Sequence, residues 1–405
     1  MTAAASYRAL LRTPGAAAFF VPAAGGRVGI AMTSLSIVWL VRDATGSYAT
    51  AGLVTGAFAV ADAVAGPQVG RLIDRFGQAR VLLPGVVVHA LAVGALVAGA
   101  AGHAPGWLLA AAGALVGASL PQLSAAVLAR WSALLGGERR AALPSAYALE
   151  SLSNSAAYFV GPALVSAIAA AGRPVLGALT AAALVVAGGS LLALQRRTAP
   201  PVVAHDGRRP HHRRALLRPG FLLLVGVNTA IGGFFGTMSI AVTAFAVERG
   251  TPELAAVLFA ASNGTGLVAV LLYGLRPWPV RPRTQLALAG AALGLGALPL
   301  AAGGIAGVAA GVVLTAAAVP VVIVLGSVLA DAVVARGVLT EAFAWLGSAS
   351  AAGSALAATA AGAAIDGSGA HGGLLVALAA ALTTAALAVC GLRALHPSTA
   401  ASDRP

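Results

Sequence analysis

The chain of 405 residues contains no lysine and one cysteine, and charged residues make up only 9% of it. An ordinary soluble domain is roughly a quarter charged, so this sequence cannot clothe a water-facing surface. Without lysine there is no Gly-Lys step, which excludes ATP-driven transport through a Walker phosphate loop. The lone Cys390 excludes an internal disulfide framework and any multi-cysteine metal site, and its expected role is packing. The sequence also lacks an H-E-x-x-H helix, a G-x-S-x-G elbow and a C-x-x-C pair. No enzyme activity and no cofactor are therefore expected.

What fills the sequence is aliphatic. Hydrophobic residues make up 59%, in runs that recur from residue 17 to residue 395. Each run is about twenty residues long, enough to cross about 30 Å of hydrocarbon as a helix. The runs predict helices over 16–41, 49–70, 81–101, 107–130, 144–170 and 174–195, then 219–246, 252–275, 284–302, 306–333, 339–364 and 373–395. The least marked division falls at Gly303 and Gly304. The expected fold is an all-α integral membrane protein of twelve transmembrane helices. Arg8 and Arg12 precede a first run that outlasts a signal peptide and carries Arg27, so it reads as a retained helix.

The net charge is +13, and all 25 basic residues are arginine. They gather in short segments between apolar runs and form no continuous stripe, which argues against a nucleic-acid partner. With a cytoplasmic N-terminus, 21 arginines fall on one side and only Arg42, Arg173 and Arg249 on the other, with Arg27 inside a span. That asymmetry predicts a multi-pass protein of the plasma (inner) membrane with both termini cytoplasmic. Between Gln195 and Gly220 lie Pro200, Pro201, Pro210, three histidines and seven arginines, a stretch that cannot bury a core. It predicts an N-terminal bundle over 1–195, a basic cytoplasmic linker over 196–218 and a C-terminal bundle over 219–405, two six-helix halves of a duplicated protein. His205, His211 and His212 read as part of a solvated linker at an anionic leaflet, not as metal ligands. Alanine, glycine and arginine in place of lysine point to a GC-rich bacterial genome.

Between the second and third spans stands Gly70-Arg71-Leu72-Ile73-Asp74-Arg75-Phe76-Gly77-Gln78-Ala79-Arg80. It resembles the signature loop of the major facilitator superfamily, G-x-L-x-D-R-x-G-R-[RK], at Gly70, Leu72, Asp74, Arg75 and Gly77. Gln78 and Ala79 replace the usual basic pair, and the charge returns at Arg80. The resemblance implies a loop that locks the cytoplasmic ends of the two halves when the transporter faces outward, with the aspartate near the start of the eleventh helix. Glu341 stands there, within expected reach of Arg71 or Arg75. After the eighth span the basic run Arg276 to Arg283 lacks the aspartate, and its natural partner is Glu150, which matches Glu341 in position. Gly161 follows Glu150 by eleven residues and Gly353 follows Glu341 by twelve, an echo of duplication. Gly161-Pro162 is similar to the centre of the G-x-x-x-G-P-x-x-G-G element of the family's drug/proton antiporters. The rest of that element is missing, so a packing kink is favoured over coupling.

Two charged residues fall deep inside spans. Arg27 lies about 18 Å into the first helix and Asp62 about 12 Å from the inner end of the second, at 1.5 Å per residue, depths compatible with pairing. Intramembrane charge is costly and marks function. Arg27 reads as an anchor for an anionic or hydroxylated substrate or as a control on a proton-carrying Asp62; the alternative is a permanent pair stapling two helices. The resemblance implies a cavity built from the first, fourth, seventh and tenth helices. Its candidate liners are Arg27, Ser34, Ser119, Gln122, Asn228, Thr237 and Ser327, with Phe234 and Phe235 as apolar ones. Each also reads as a packing contact. The leading expectation is a monomeric secondary transporter that exports a small amphipathic molecule against inward proton movement. The alternatives are passage of a polar solute such as a sugar or organic anion, and a non-transporting membrane scaffold or sensor.

Overall fold

Inside hydrocarbon a backbone must satisfy its own hydrogen bonds, so long apolar runs become helices. The computed structural model describes residues 3–202 and 216–393, and among the described residues there is no strand. The segment carrying His205, His211 and His212, and with it the centre of the expected linker, lies outside the described residues. A short α1 (Ala3–Arg12) precedes α2 (Ala16–Thr45), α3 (Tyr48–Phe76), α4 (Gln78–Ala101), α5 (Gly106–Ala118), α6 (Leu123–Leu134), α7 (Leu143–Ala170) and α8 (Pro174–Leu194). Then follow α9 (Pro219–Glu248), α10 (Glu253–Leu275), α11 (Pro282–Ala297), α12 (Ile305–Val333) and α13 (Leu339–Cys390). Eleven stretches of the described residues are long and apolar enough to cross a membrane.

Three details differ from the sequence expectation. The signature segment is scarcely a loop. Nothing in Arg71 to Phe76 breaks a helix, so α3 runs through it, and only Gly77, with φ 88° and ψ 152°, separates it from α4. The fourth span is not continuous: it stops at Ala118 and restarts at Leu123. Pro121 has no N–H to continue the ladder and disfavours helix at Leu120 before it. The eleventh and twelfth spans are nearly fused in α13, whose 52 residues are interrupted only at Ser368 and Gly369. Unbroken, such a helix would run for about 78 Å, far beyond a hydrocarbon core of about 30 Å. Gly369 turns at φ 70°, and Glu248 accepts the N–H of Ala370 at 2.6 Å just after it.

The chain forms two compact units. The first comprises 1–140, 152–204 and 337–344; the second comprises 141–151, 205–336 and 345–405. Each therefore includes a helix start from the opposite half of the sequence. Helices meet backbone to backbone where glycines allow it. In the first unit a Cβ on Gly188 would lie 2.6 Å from the Gly26 Cα, which brings α8 against α2. Gly113 and Gly117, one turn apart on α5, seat on Val54 and Phe58 of α3. In the second unit Gly232 and Gly236 of α9 take the same role against Ser350 and Ser354 of α13. Gly161 brings α7 onto Val28 and Ala31 of α2, and Gly353 brings α13 onto Thr229 of α9. The fifth span thus meets the first as the eleventh meets the seventh, the relation a duplication would leave. Cys390, expected to pack, is exposed.

Candidate functional site

The signature segment is a junction between the end of α3 and the start of α13. Asp74 accepts the N–H of Thr340 on Oδ1 at 3.2 Å and that of Glu341 on Oδ2 at 2.9 Å. These are first-turn amides of a helix, which have no partner within it. Arg71 donates from Nε at 3.1 Å and Nη2 at 2.7 Å to Glu341 Oε1. Of the two arginines expected near Glu341, Arg71 is the partner; the Arg75 guanidinium lies 4.8 Å from the Phe76 ring centroid, and Arg80 is exposed. Gly70 is what lets the two helices approach, since a Cβ there would stand 2.9 Å from Glu341 Cα and from the Thr340 carbonyl.

The departure from the family pattern at Gln78 has a structural reason. Gln78 is buried, donates Nε2–H to the Ala126 carbonyl at 3.0 Å and accepts from Arg130 Nε at 2.6 Å. Arg130, one of the 21 arginines counted on that side, is fully buried there. It also donates to the Leu192 and Gln195 carbonyls and to Gln195 Oε1, all at 2.7 Å, and to Thr198 Oγ1 at 3.3 Å. A basic residue at 78 would face that guanidinium. The echo in the second half behaves differently. Arg276 does not pair with Glu150; its guanidinium lies 5.3 Å from the Trp278 ring centroid, because Trp278 is held in place by stacking on Tyr273.

The break between α5 and α6 gathers the polar groups of the first unit. Arg27, 2% exposed, donates from Nε to Ser124 Oγ at 3.2 Å and from Nη1 to Ser153 Oγ at 2.8 Å, and lies 5.7 Å from the Phe20 ring centroid. Asp62 accepts from Gln122 Nε2 at 3.4 Å. The alternative of a permanent Arg27–Asp62 pair is not what the structure holds: Asp62 bonds to Gln122 and Arg27 to the two serines. The break divides them: Gln122 serves Asp62, while Ser124, in the first turn of α6, serves Arg27. A neutral amide suits either form of a carboxyl group, because it donates to the carboxylate and accepts from the acid.

On α4, His89 is fully buried with Nδ1 3.3 Å from Ser119 Oγ. Ser119 Oγ also lies 3.0 Å from the Val116 carbonyl, so the hydroxyl sits between that carbonyl and the imidazole. Nε2 is buried and has no hydrogen-bond partner among the described residues, which costs free energy in either tautomer. Sequence reasoning missed His89, although it lies inside a span and the argument that singled out Arg27 applies to it equally. Ser124 and Ser153 were also missed, since serines inside helices carry no distinguishing pattern.

The remaining candidates are not brought to one place. Asn228, Thr237 and Ser327 donate to carbonyls of their own helices, at Leu224, Gly233 and Ile323. Phe234 is buried and Phe235 half exposed, and Ser34 is exposed. Gly161 makes a close approach to α2, and Pro162 lies within α7 without ending it. Among the described residues no group of three or more His, Cys, Asp or Glu side chains is placed to hold a metal ion.

Residues 21–337 match the sequence profile of the Major Facilitator Superfamily. Solved structures share the fold at low identity. A bacterial homologue of the iron transporter ferroportin, in an outward-facing state, is 15% identical with a TM-score of 0.74, over 92% of this chain and 98% of its own. The transporter FucP in the outward conformation is 16% identical with a TM-score of 0.69 over the same shares. The human organic anion transporter MFSD10 is 16% identical with a TM-score of 0.62, over 96% of this chain and 98% of its own. No curated protein sequence matches.

Proposed function

The chain belongs to the Major Facilitator Superfamily, and from that premise we propose that it is a secondary transporter exporting a small amphipathic molecule in exchange for protons. It works by alternating access across the inner membrane, with twelve spans in two six-helix bundles and both termini cytoplasmic. Asp62 is the proton carrier. The observation that carries this reading is its hydrogen bond to Gln122 rather than to a cation. A permanent salt bridge would fix the charge, whereas an amide leaves the carboxyl group free to gain and lose a proton through a cycle. The junction of Asp74 and Arg71 with the start of α13 is the gate, a contact made in one state and broken in the other.

The test is transport in proteoliposomes under an imposed pH gradient, with a panel of amphipathic cations and neutral compounds. Substrate-dependent proton flux is expected in the unmodified protein and lost in Asp62→Asn. Flux that survives in Asp62→Asn removes Asp62 from the mechanism; no flux across the panel overturns coupled export and favours a scaffold or sensor. A second reading, passage of a polar solute such as a sugar or organic anion, rests on the placement of Arg27 inside a span, where it donates to Ser124 and Ser153. There Arg27→Ala, not Asp62→Asn, abolishes binding.

A further inference from the structure

The connection between α10 and α11 is short and rigid. It runs Arg276-Pro277-Trp278-Pro279-Val280-Arg281, and α11 begins Pro282-Arg283. Its three prolines have fixed φ, and its side chains brace one another. Trp278 stacks on Tyr273 with ring centroids 5.7 Å apart and an interplanar angle of 20°. The indole N–H donates to the Tyr273 carbonyl at 3.0 Å. The Tyr273 hydroxyl donates to Gln285 Oε1 at 2.8 Å, and Gln285 Nε2 donates back to the Val280 carbonyl at 2.5 Å. A turn with no structural task beyond joining two helices needs none of this.

The charges on that frame are of one sign. Arg276 and Arg281 are exposed and Arg283 is partly so. No acidic residue occurs between Glu253 and Asp331, and among the described residues no carboxylate pairs with any of the three arginines. Beside them Trp278 is 43% and Val280 38% exposed. The loop joins the ends of two spanning helices, so it stands at the depth of lipid headgroups.

We propose that the Arg276–Arg283 loop is a binding site for the phosphate-bearing headgroup of an anionic phospholipid. Guanidinium groups fork onto phosphate oxygens, which makes arginine a better reader of a phosphodiester than a point charge. The exposed edges of Trp278 and Val280 decide between lipid and free phosphate. An inorganic ion would leave them in water, whereas the glycerol and first acyl carbons of a lipid cover them, as interfacial tryptophan prefers. The loop's rigidity lowers the ordering cost of binding. The site is independent of which substrate is carried.

The purified full chain in neutral detergent is titrated with brominated phosphatidylglycerol and, separately, brominated phosphatidylcholine, following tryptophan fluorescence in the unmodified protein and in Trp278→Phe. Preferential quenching by phosphatidylglycerol is expected, and the preference disappears in Trp278→Phe. Each arginine replaced by glutamine should weaken the apparent affinity for phosphatidylglycerol by about fivefold, the effect of one arginine near an anionic surface. Where the triple substitution fails to fold, Arg281→Gln alone carries the test, because that side chain is exposed and braces nothing. Equal quenching by both lipids, or a preference unchanged in Arg281→Gln, overturns the proposal. So does full competition by inorganic phosphate at constant ionic strength, which would make the ligand a free anion.

Discussion

The carboxylate of Asp74 caps a helix that begins far along the chain, accepting the Glu341 N–H at 2.9 Å while its other oxygen takes that of Thr340 at 3.2 Å. Both amides belong to the first turn of α13, where the positive end of the helix dipole also favours a negative group. Asp74→Ala should therefore release that turn at a cost of about 1–2 kcal/mol, the usual loss of an N-cap. Hydrogen exchange by mass spectrometry reads this directly: peptides covering 337–346 should exchange faster in Asp74→Ala, and unchanged exchange would deny the cap.

Arg71 and Glu341 add an ion pair to the same junction, with two guanidinium N–H groups sharing one carboxylate oxygen. The arginine side chain is 39% exposed and the glutamate only 3%, with a nearest separation of 2.7 Å. Because solvent screens the exposed partner, a double-mutant cycle of Arg71→Ala and Glu341→Gln should return a coupling of no more than about 1 kcal/mol. The pair is thus weak enough to break during a cycle. A coupling several times larger would mean a permanent staple and would count against its use as a gate.

Much of this architecture is visible in the sequence because the bilayer leaves few solutions. Runs of aliphatic residues forecast the spans, and Gly70, Asp74 and Glu341 could be placed together through their resemblance to a known family. The sequence was less informative wherever one side chain had to choose among several partners. Arg27 and Asp62 stand at compatible depths, yet four residues of non-helical chain at Ser119–Gln122 separate their hydrogen bonds. Pro121 carries the break there, but proline alone does not mark one, since prolines also sit within α2, α3, α4, α7 and α12 without ending them. That Arg130 would be buried at that end of the bundle was not legible for a similar reason. Five neutral acceptors solvate it inside the protein, and neutral acceptors have no sequence signature.

His89 offers a test in which stability and function should move in opposite directions. Its Nε2 is buried without a partner, a condition that costs about 1–3 kcal/mol. Replacing it with leucine removes that penalty, so His89→Leu should unfold in detergent no earlier than the unmodified chain. The same change removes the Nδ1 contact to Ser119 Oγ, freeing the segment that carries Gln122, and transport should fall. In His89→Asn the side-chain amide reaches about as far as Nδ1, so transport should recover. Equal loss in both variants would mean that His89 only fills space.

Close helix packing can be tested by adding single methyl groups at glycines in different surroundings. A Cβ on Gly117 would collide with the Phe58 carbonyl, and one on Gly113 would lie 2.9 Å from the Val54 carbonyl. Backbone atoms cannot rotate aside, so α3 and α5 must separate to admit either methyl. Gly117→Ala should lower stability by at least about 1–3 kcal/mol, the range for overpacking a core. Gly94, inside α4, has nothing within 4 Å of the added methyl. There Gly94→Ala should stabilise by up to about 1 kcal/mol through helix propensity alone. Thermal midpoints in one detergent compare the two. The opposite signs distinguish a specific α3–α5 seam from a general intolerance of substitution, since a loss in both variants would show that packing at Gly117 is no tighter than at Gly94.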